Sequence, residues 1–372
     1  MAFSAFAKPM ASFAVAVFSL LLCASAPARD FVPMEDVTKL EKPTICIRSG
    51  NTLKLIDWDG QNERVWMTGE FNLPARFSRD GKRVAFIAST EDFGWYTLFI
   101  LELETGRLIN MTERLNNKGY EHIYIPHAVW FPDGRRLACD ANDRANPAGF
   151  SEIYVLDFRA ATLEQLTETP TQREYWPSVS RDGKKIVYFS TPSEKERAAL
   201  GILPGAFVPY DLYTMNADES NVVNLTFSAA DEGYPEWSPD GKKIAFNAFD
   251  RKEQEGEIRG TDLFMMDPDG SNVERLTSRK DGLRSLVNDW SADSKWILFH
   301  MELDDNLLSG LYRIHIETRE MVRIGRFGAA TWVHAGKSRF LSVDPADKKK
   351  AQWGALKEAD SSPNNPTSQD GE

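Results

Sequence analysis

One short segment occurs six times along this chain of 372 residues. The clearest copy, residues 235–246, reads PEWSPDGKKIAF, and residues 75–86 and 177–188 repeat it as ARFSRDGKRVAF and PSVSRDGKKIVY. The turn position of the segment recurs 42 to 58 residues apart, at Asp80, Asp133, Asp182, Asp240, Asp293 and, in a decayed copy, Ala335. Because a regular period of this length builds one structural unit per copy, the repeat constrains the fold more than any other feature.

Each copy predicts a β-hairpin followed by two further strands. Pro and Asp favour the start of the turn, and Gly tolerates the left-handed conformation that the turn needs. Alternating apolar residues follow, and a third strand appears farther along, for example at residues 263–266 (LFMM). A short fourth strand often ends in a Leu-Thr pair such as Leu276-Thr277. Four strands in about 50 residues is the period of a propeller blade.

The two ends of the repeat array predict how the sheet closes. Thr44–Ile47 and Leu53–Ile56 resemble late strands without a preceding hairpin, and the array ends in a hairpin, 330–343, without late strands. Together they complete one blade, which would leave no open sheet edge. We therefore predict an all-β fold, a six-bladed β-propeller of four-stranded antiparallel blades, closed by a blade that the N- and C-terminal segments share.

The repeats resemble those of the TolB-type six-bladed β-propeller. The resemblance rests on residues 237–246 (WSPDGKKIAF), 263–270 (LFMMDPDG) and 275–277 (RLT), and it extends over nearly the whole chain after the N-terminal segment. It implies the propeller fold and a role as a scaffold or receptor module. TolB proteins carry an α/β domain before the propeller, so the resemblance is to the propeller alone. The same repeat also occurs in propellers attached to serine peptidases and in some polysaccharide lyases.

The N-terminal segment predicts export. Residues 13–23 (FAVAVFSLLLC) have the length of a signal-peptide core, and Ala26-Pro27-Ala28 offers a cleavage site after Ala28. Acylation of Cys23 and a retained anchor are the alternatives. We predict a signal peptide at 1–28, the propeller at 29–346 and a flexible tail at 347–372, in a periplasmic or extracellular protein. The remaining Cys46 and Cys139 are expected to be buried free thiols.

The connections differ between the two faces of the predicted propeller. The hairpin turns and the turns between third and fourth strands share one face and are short. The connections between blades and between second and third strands share the other face, and these include the long segments 191–209 and 250–260. Because insertions on one face of a repeat array often mark the binding face, we expect a partner to bind on this loop-rich face.

Residues of the blade-to-blade connections should surround the mouth of the central channel. Aromatic side chains interleaved with polar and charged ones suit a peptide or sugar ligand. A competing interpretation is that Tyr175 and Tyr234 pack on nearby prolines. Glu174, Glu232 and Asp289 predict an acidic mouth that favours a basic or amine-bearing segment. The candidate binding residues are His122, Tyr124, His127, Glu174, Tyr175, Trp176, Glu232, Tyr234, Arg284, Asn288 and Asp289.

Composition and missing motifs narrow the function. A formal charge of −11 and a pI of about 5.2 argue against a general nucleic-acid binder. The sequence contains no Gly-x-Ser-x-Gly segment, the nucleophile motif of the attached peptidases. We therefore predict a non-catalytic scaffold for a protein or peptide, monomeric, with no cofactor, no metal site and no membrane-spanning segment in the mature chain.

Two other functions stay open from the sequence. A metal-dependent polysaccharide lyase would use Glu121, His122 and His127, with His300 from a second strand, while a sugar or small-molecule sensor would need no turnover. Glu174 with Glu232 could also serve acid–base chemistry. The turns that begin at Asp57 and Asp267 resemble the start of a calcium loop but lack its closing glutamate, and turn chemistry explains them.

Overall fold

The structure, a computed structural model, is almost entirely β. It describes residues 33–73, 75–90, 94–143, 150–169, 171–203, 206–228, 230–251, 258–278, 284–303, 309–326 and 329–333. The predicted signal peptide and the predicted C-terminal tail lie outside the described residues, as does the decayed turn at Ala335.

The described strands form six sets of four, which we number as blades in chain order. Blade 1 contains β1 (Thr44–Ser49), β2 (Thr52–Asp57), β3 (Arg64–Thr68) and β24 (Ala330–Trp332). Blade 2 contains β4 (Arg76–Phe77), β5 (Arg83–Thr90), β6 (Gly94–Glu102) and β7 (Arg107–Asn110). Blade 3 contains β8 (Ile123–Trp130), β9 (Arg136–Asp143), β10 (Glu152–Asp157) and β11 (Thr162–Gln165).

The remaining three blades have the same order of strands. Blade 4 contains β12 (Glu174–Val179), β13 (Lys185–Ser190), β14 (Asp211–Asn216) and β15 (Val223–Asn224). Blade 5 contains β16 (Asp231–Trp237), β17 (Ile244–Arg251), β18 (Ile258–Met266) and β19 (Glu274–Arg275). Blade 6 contains β20 (Arg284–Trp290), β21 (Trp296–Glu302), β22 (Gly310–His315) and β23 (Met321–Gly325).

Neighbouring strands within each blade pair antiparallel, so the predicted four-stranded antiparallel blades are confirmed. Blade 1 draws on both ends of the repeat array, because β24 pairs with β1 through Ile45 opposite Trp332 and Ile47 opposite Ala330. A single parallel bridge, Thr261 with Arg284, also links blade 5 to blade 6.

The repeated Ser-x-Asp-Gly segment is explained by its turn. Ser78 Oγ donates to Asp80 Oδ1 over 2.6 Å, and that same oxygen accepts from the Lys82 amide over 3.0 Å. Gly81 has a φ of +67°, a conformation that glycine adopts at little steric cost. The serine-to-aspartate bond recurs at residues 180 and 182, 238 and 240, and 291 and 293. The sequence signature is therefore hairpin chemistry.

Six apolar clusters join each blade to the next. Five of them connect blades 1 to 6 in chain order. The sixth packs Ile45 and Ile47 of blade 1 against Leu298 and Leu311 of blade 6. Arg313 of blade 6 adds to this contact, with its guanidinium carbon 3.5 Å from the ring centroid of Trp58. The apolar core thus runs between the blades, from blade 1 to blade 6 and back to blade 1.

Helix is a minor component of the described chain. The helices are a 3-10 turn, Val37–Lys39, and two short α-helices, α1 (Met111–Asn116) and α2 (Glu194–Ala199). No helix among the described residues has the length and apolarity needed to cross a membrane. Cys46 and Cys139 are buried free thiols in separate clusters, and burial raises the pKa of both.

Candidate functional site

Equivalent positions of the six innermost strands surround the centre of the propeller as stacked rings. The residues four positions before the six turn positions (five aspartates and Ala335) line one cavity together: Arg76, Val129, Ser178, Glu236, Asp289 and Thr331. The residues six positions before the turn line a second cavity, and those that the structure describes are His127, Trp176, Tyr234, Val287 and Ala329. Since every inner strand runs towards its Asp-Gly turn, the second cavity lies on the loop-rich side. We call it the mouth cavity and the other the turn-side cavity.

The mouth cavity has a volume of about 150 Å³. Aliphatic side chains from blades 2 and 6 form much of its wall, among them Leu73, Ile87 and Leu286. Among the described residues that line it, none carries a carboxylate. The mouth cavity is therefore a mostly apolar space with a few polar groups, which is the usual character of a binding pocket.

Backbone bulges turn two aromatic side chains towards the mouth cavity. Strands β12 and β16 shift register between Tyr175 and Ser178 and between Gly233 and Glu236. Within these bulges Trp176 has a φ of +55° and Tyr234 a φ of +54°, values that bulky residues rarely adopt. Such conformations cost on the order of 1–3 kcal/mol each and cluster at functional sites. The strain at Trp176 and Tyr234 supports a role beyond packing.

Three rings form a continuous aromatic wall. His127 stacks on Trp176 with ring centroids 4.1 Å apart and planes 10° from parallel. Trp176 in turn meets Tyr234 edge to face, with centroids 4.8 Å apart. Blades 3, 4 and 5 each contribute one of these rings, so the wall depends on the assembled propeller.

His127 is 2% exposed, and neither ring nitrogen has a hydrogen-bond partner in the structure. Its Nδ1 lies 3.7 Å from Asp140 Oδ1, beyond hydrogen-bond distance. Burial and the nearby Arg76 lower the pKa of His127 well below its usual value, and burial raises the pKa of Asp140 to about 8. At neutral pH the site therefore presents an uncharged imidazole with a protonated carboxyl group behind it.

Arg76 forms the boundary between the two cavities, since it lines both. Its Nη2 lies 3.1 Å from Glu236 Oε1 of blade 5, and its Nη1 donates to the Asn288 carbonyl over 3.2 Å. Ser178 Oγ donates to the other Glu236 oxygen over 3.0 Å. Because blades 2 and 5 lie opposite each other in the ring, this ion pair crosses the centre of the propeller.

The structure brings four of the eleven predicted binding residues to the mouth cavity, namely His127, Trp176, Tyr234 and Asn288. The neighbouring Tyr175 packs instead against Phe189 and Tyr210. The predicted residues that do not line this cavity are His122, Tyr124, Glu174, Tyr175, Glu232, Arg284 and Asp289.

Several of these residues have partners elsewhere. His122 and Arg284 are exposed, and Arg284 Nη1 lies 4.0 Å from Glu302 Oε2. Asp289 lines the turn-side cavity, where its Oδ2 accepts from Thr331 Oγ1 over 2.6 Å. Tyr124 is half-buried and does not line the cavity.

The predicted acidic mouth is not formed by the two glutamates expected there. Glu174 is 2% exposed, and its Oε1 accepts from Thr169 Oγ1 over 3.2 Å. Glu232 accepts from Ser228 Oγ over 2.9 Å. Burial raises the pKa of both glutamates to about 8, with Glu152 contributing at Glu174. These carboxyl groups lie away from the mouth cavity, so the expected preference for a basic segment has no basis in their placement.

Sequence reasoning missed Arg76 and Asp140 and considered His300 only as a metal ligand. His300 lines the mouth cavity, and its Nε2 lies 3.7 Å from Glu302 Oε1. A signal for Arg76 existed, because alignment of the repeats places its charge at the ring position that Ser178 and Glu236 occupy in other copies. Nothing comparable marks Asp140.

The described residues do not assemble a metal centre. No group of three or more His, Cys, Asp or Glu side chains within them is arranged to hold an ion. In the two calcium-like turns, Asn62 donates to Asp57 over 2.8 Å and Asn272 donates to Asp267 over 2.6 Å. Turn chemistry thus accounts for these aspartates.

Comparison with known proteins agrees with this architecture. Among solved structures, TolB from Acinetobacter baumannii superposes with a TM-score of 0.54 at 16% identity, over 78% of this chain and 66% of that one. The chain has the TolB-type β-propeller fold. At this identity the likeness establishes the fold alone.

The relatives found by sequence do not establish a function for this chain. No family model matches the chain. An uncharacterized protein of Agrobacterium fabrum is 26% identical over 58% of the chain, and an uncharacterized peptidase of Bacillus subtilis is 26% identical over 51%. These alignments span 65% and 31% of the two relatives' own lengths. The peptidase name therefore belongs to a much longer protein of which the match is a minor part.

Proposed function

We propose that this TolB-like propeller is an exported, non-catalytic binding module that takes an apolar segment of a protein or peptide partner into its mouth cavity. The observation that carries the proposal is the pair Trp176 and Tyr234, held at positive φ so that both rings line an apolar cavity on the loop-rich side. Rigid aromatic rings supply contact area at low entropic cost and dominate many binding sites.

The size and polarity of the cavity support this function. Ligand pockets combine apolar walls with a few polar groups. The mouth cavity, at about 150 Å³, has room for about one aromatic ring, since a cavity of this volume can hold benzene. Because Glu174 and Glu232 do not line the cavity, we propose that the partner segment is apolar, whereas the sequence led us to expect a basic one.

A matched pair of alanine variants tests the site. Peptides that bind the full chain would be selected from a display library, and their affinities measured by calorimetry. Trp176→Ala should weaken binding at least tenfold, about 1.4 kcal/mol, because it removes the central ring of the wall. Tyr175→Ala, the adjacent ring that faces Phe189, should change the affinity less than about threefold. Equal losses in both variants, with both folded, would contradict the proposal.

Export has its own test, because the residues that predict it lie outside the described ones. Cells that express the full chain should release or accumulate it outside the cytoplasm with Arg29 as the first residue, determined by N-terminal sequencing. An acylated Cys23 at the N-terminus would favour the lipoprotein alternative. A cytoplasmic chain that retains its first 28 residues would overturn export.

A further inference from the structure

The polar groups of the mouth cavity specify what kind of ligand end fits there. We infer that the cavity binds an aromatic or branched apolar group that terminates in a carboxylate, with the carboxylate held by Arg76 and His127. This inference rests on the proposed function and names the ligand chemistry of its site.

Arg76 has N–H groups in the cavity that the protein does not use. A guanidinium group has five N–H donors, and Arg76 uses its two Nη atoms for Glu236 and the Asn288 carbonyl. The Asn288 amide is occupied, because its Nδ2 donates to the Leu286 carbonyl over 3.2 Å and its Oδ1 accepts from the Ala330 amide over 3.1 Å. The ligand should therefore supply acceptor oxygens.

The second observation is the buried imidazole. His127 lines the cavity with 2% of its surface exposed and with both ring nitrogens lacking a partner. Buried polar groups are nearly always hydrogen-bonded, and an unmet one costs on the order of 1–3 kcal/mol. A ligand oxygen that accepts from the imidazole N–H would remove the part of this penalty that comes from the N–H.

The charges around the cavity favour an anion over a cation. Arg76 is permanently cationic, while the lining side chains that the structure describes include no carboxylate. Glu236 and Asp289 lie on the turn-side cavity, and burial keeps Asp140 protonated behind His127. Arg76 lines the cavity and has N–H groups left for a carboxylate while its ion pair with Glu236 stays in place, and planar guanidinium groups bind carboxylates well.

Two kinds of molecule combine an apolar group with a carboxylate in this way. One is a free small carboxylic acid with an aromatic or branched apolar body, and the other is the C-terminal residue of a partner chain. Both can place one apolar group against Trp176 and Tyr234 and two carboxylate oxygens near Arg76 and His127.

Three ligands of one shape test the end group on the unaltered full chain. Titration calorimetry at neutral pH would compare phenylacetate, phenylacetamide and phenethylamine. We expect phenylacetate to bind at least about tenfold more tightly than the amide, and the amine more weakly than either. The peptide Gly-Gly-Phe, as the free acid and as the C-terminal amide, distinguishes a chain end from a small acid.

These measurements distinguish failure of the carboxylate inference from failure of the proposed apolar binding. Equal binding of acid and amide, abolished by Trp176→Ala, would overturn the carboxylate and leave the proposed apolar binding intact. Failure of both the free acid and the free peptide end to bind would also overturn the inference, while the display selection decides the proposed function separately.

A paired substitution locates the carboxylate. Arg76→Gln together with Glu236→Gln removes the cation without leaving a buried unpaired charge, and should bring acid and amide affinities within about twofold. His127→Phe keeps the stack on Trp176 but removes both nitrogens, and should weaken phenylacetate several-fold more than phenylacetamide. An undiminished preference for the acid in both folded proteins would place the carboxylate elsewhere.

Discussion

The protein should lose stability as the pH rises from about 5 to about 8, which is the reverse of what most soluble proteins do over the acidic half of that range. Four buried carboxyl groups produce this effect. Burial raises the pKa of Asp140, Glu174 and Glu232 to about 8 and that of Glu236 to about 7. The ordinary values are 3.8 for aspartate and 4.5 for glutamate.

Stability falls with rising pH because the native protein keeps protons that the unfolded chain releases. Below about pH 4 these groups are protonated in both states, so their contribution to stability is fully present. As the pH rises, the unfolded chain releases these protons while the native protein keeps them, so the free energy of unfolding falls. Each retained proton changes it by about 1.4 kcal/mol per pH unit. His127 acts in the opposite sense, since below about pH 6.5 the unfolded imidazole gains a proton that the native one does not.

With four carboxyl groups against one histidine, we expect a net fall in the free energy of unfolding across this range. Thermal unfolding at constant ionic strength in steps of about one pH unit measures the slope. Glu174→Gln and Glu232→Gln keep the shape of the side chain and remove its titration, so each should flatten the profile. A midpoint that is constant or rises with pH would show that these carboxyl groups are ionised in the native protein.

The ion pair across the centre of the propeller predicts a second large effect. Arg76→Ala leaves Glu236 buried without its cation and should destabilise the protein by about 3–5 kcal/mol. The loss should be smaller in mild acid than above neutral pH, because Glu236 can then take a proton. The double change Arg76→Met with Glu236→Leu removes both charges and should recover most of the stability.

A double-mutant cycle measured by denaturant or thermal unfolding checks this interpretation. Arg76→Ala, Glu236→Leu and the double variant would be compared at about pH 6 and about pH 8. If Arg76→Ala costs less than about 1 kcal/mol at both, the pair behaves as a surface ion pair and does not hold opposite blades together.

The blades could be predicted from the sequence because the residues that form each hairpin turn are close together in the chain. The bond from Ser78 to Asp80 and the left-handed Gly81 lie within one hairpin, and the same pattern repeats along the chain. The absence of a disulfide between Cys46 and Cys139 also followed from their expected position in blades that are not neighbours.

The site was harder to predict because bulges break the alternation of side chains. In a regular strand Glu174 and Trp176 point to the same side. The register shift after Tyr175, with Trp176 at positive φ, directs the indole to the cavity while Glu174 packs with Thr169. Sequence shows the residues but not this backbone conformation.

Arg76 was missed for a different reason. Its partner Glu236 lies 160 residues away in the chain, and only the ring of blades brings the two together. Long-range pairing of this kind leaves no local pattern, although aligned repeat copies mark both residues as charged members of one ring position.

Fluorine NMR of the protein labelled with fluorotryptophan tests whether ligands bind in the mouth cavity, since it observes Trp176 itself. The chain has ten tryptophans, and the signal absent from Trp176→Phe identifies Trp176. Addition of a selected peptide or phenylacetate should shift the Trp176 signal at saturation, while the fully buried Trp66 and Trp296 stay unchanged. Binding that calorimetry detects but that leaves the Trp176 signal in place would show that the ligand occupies another surface and would contradict the account.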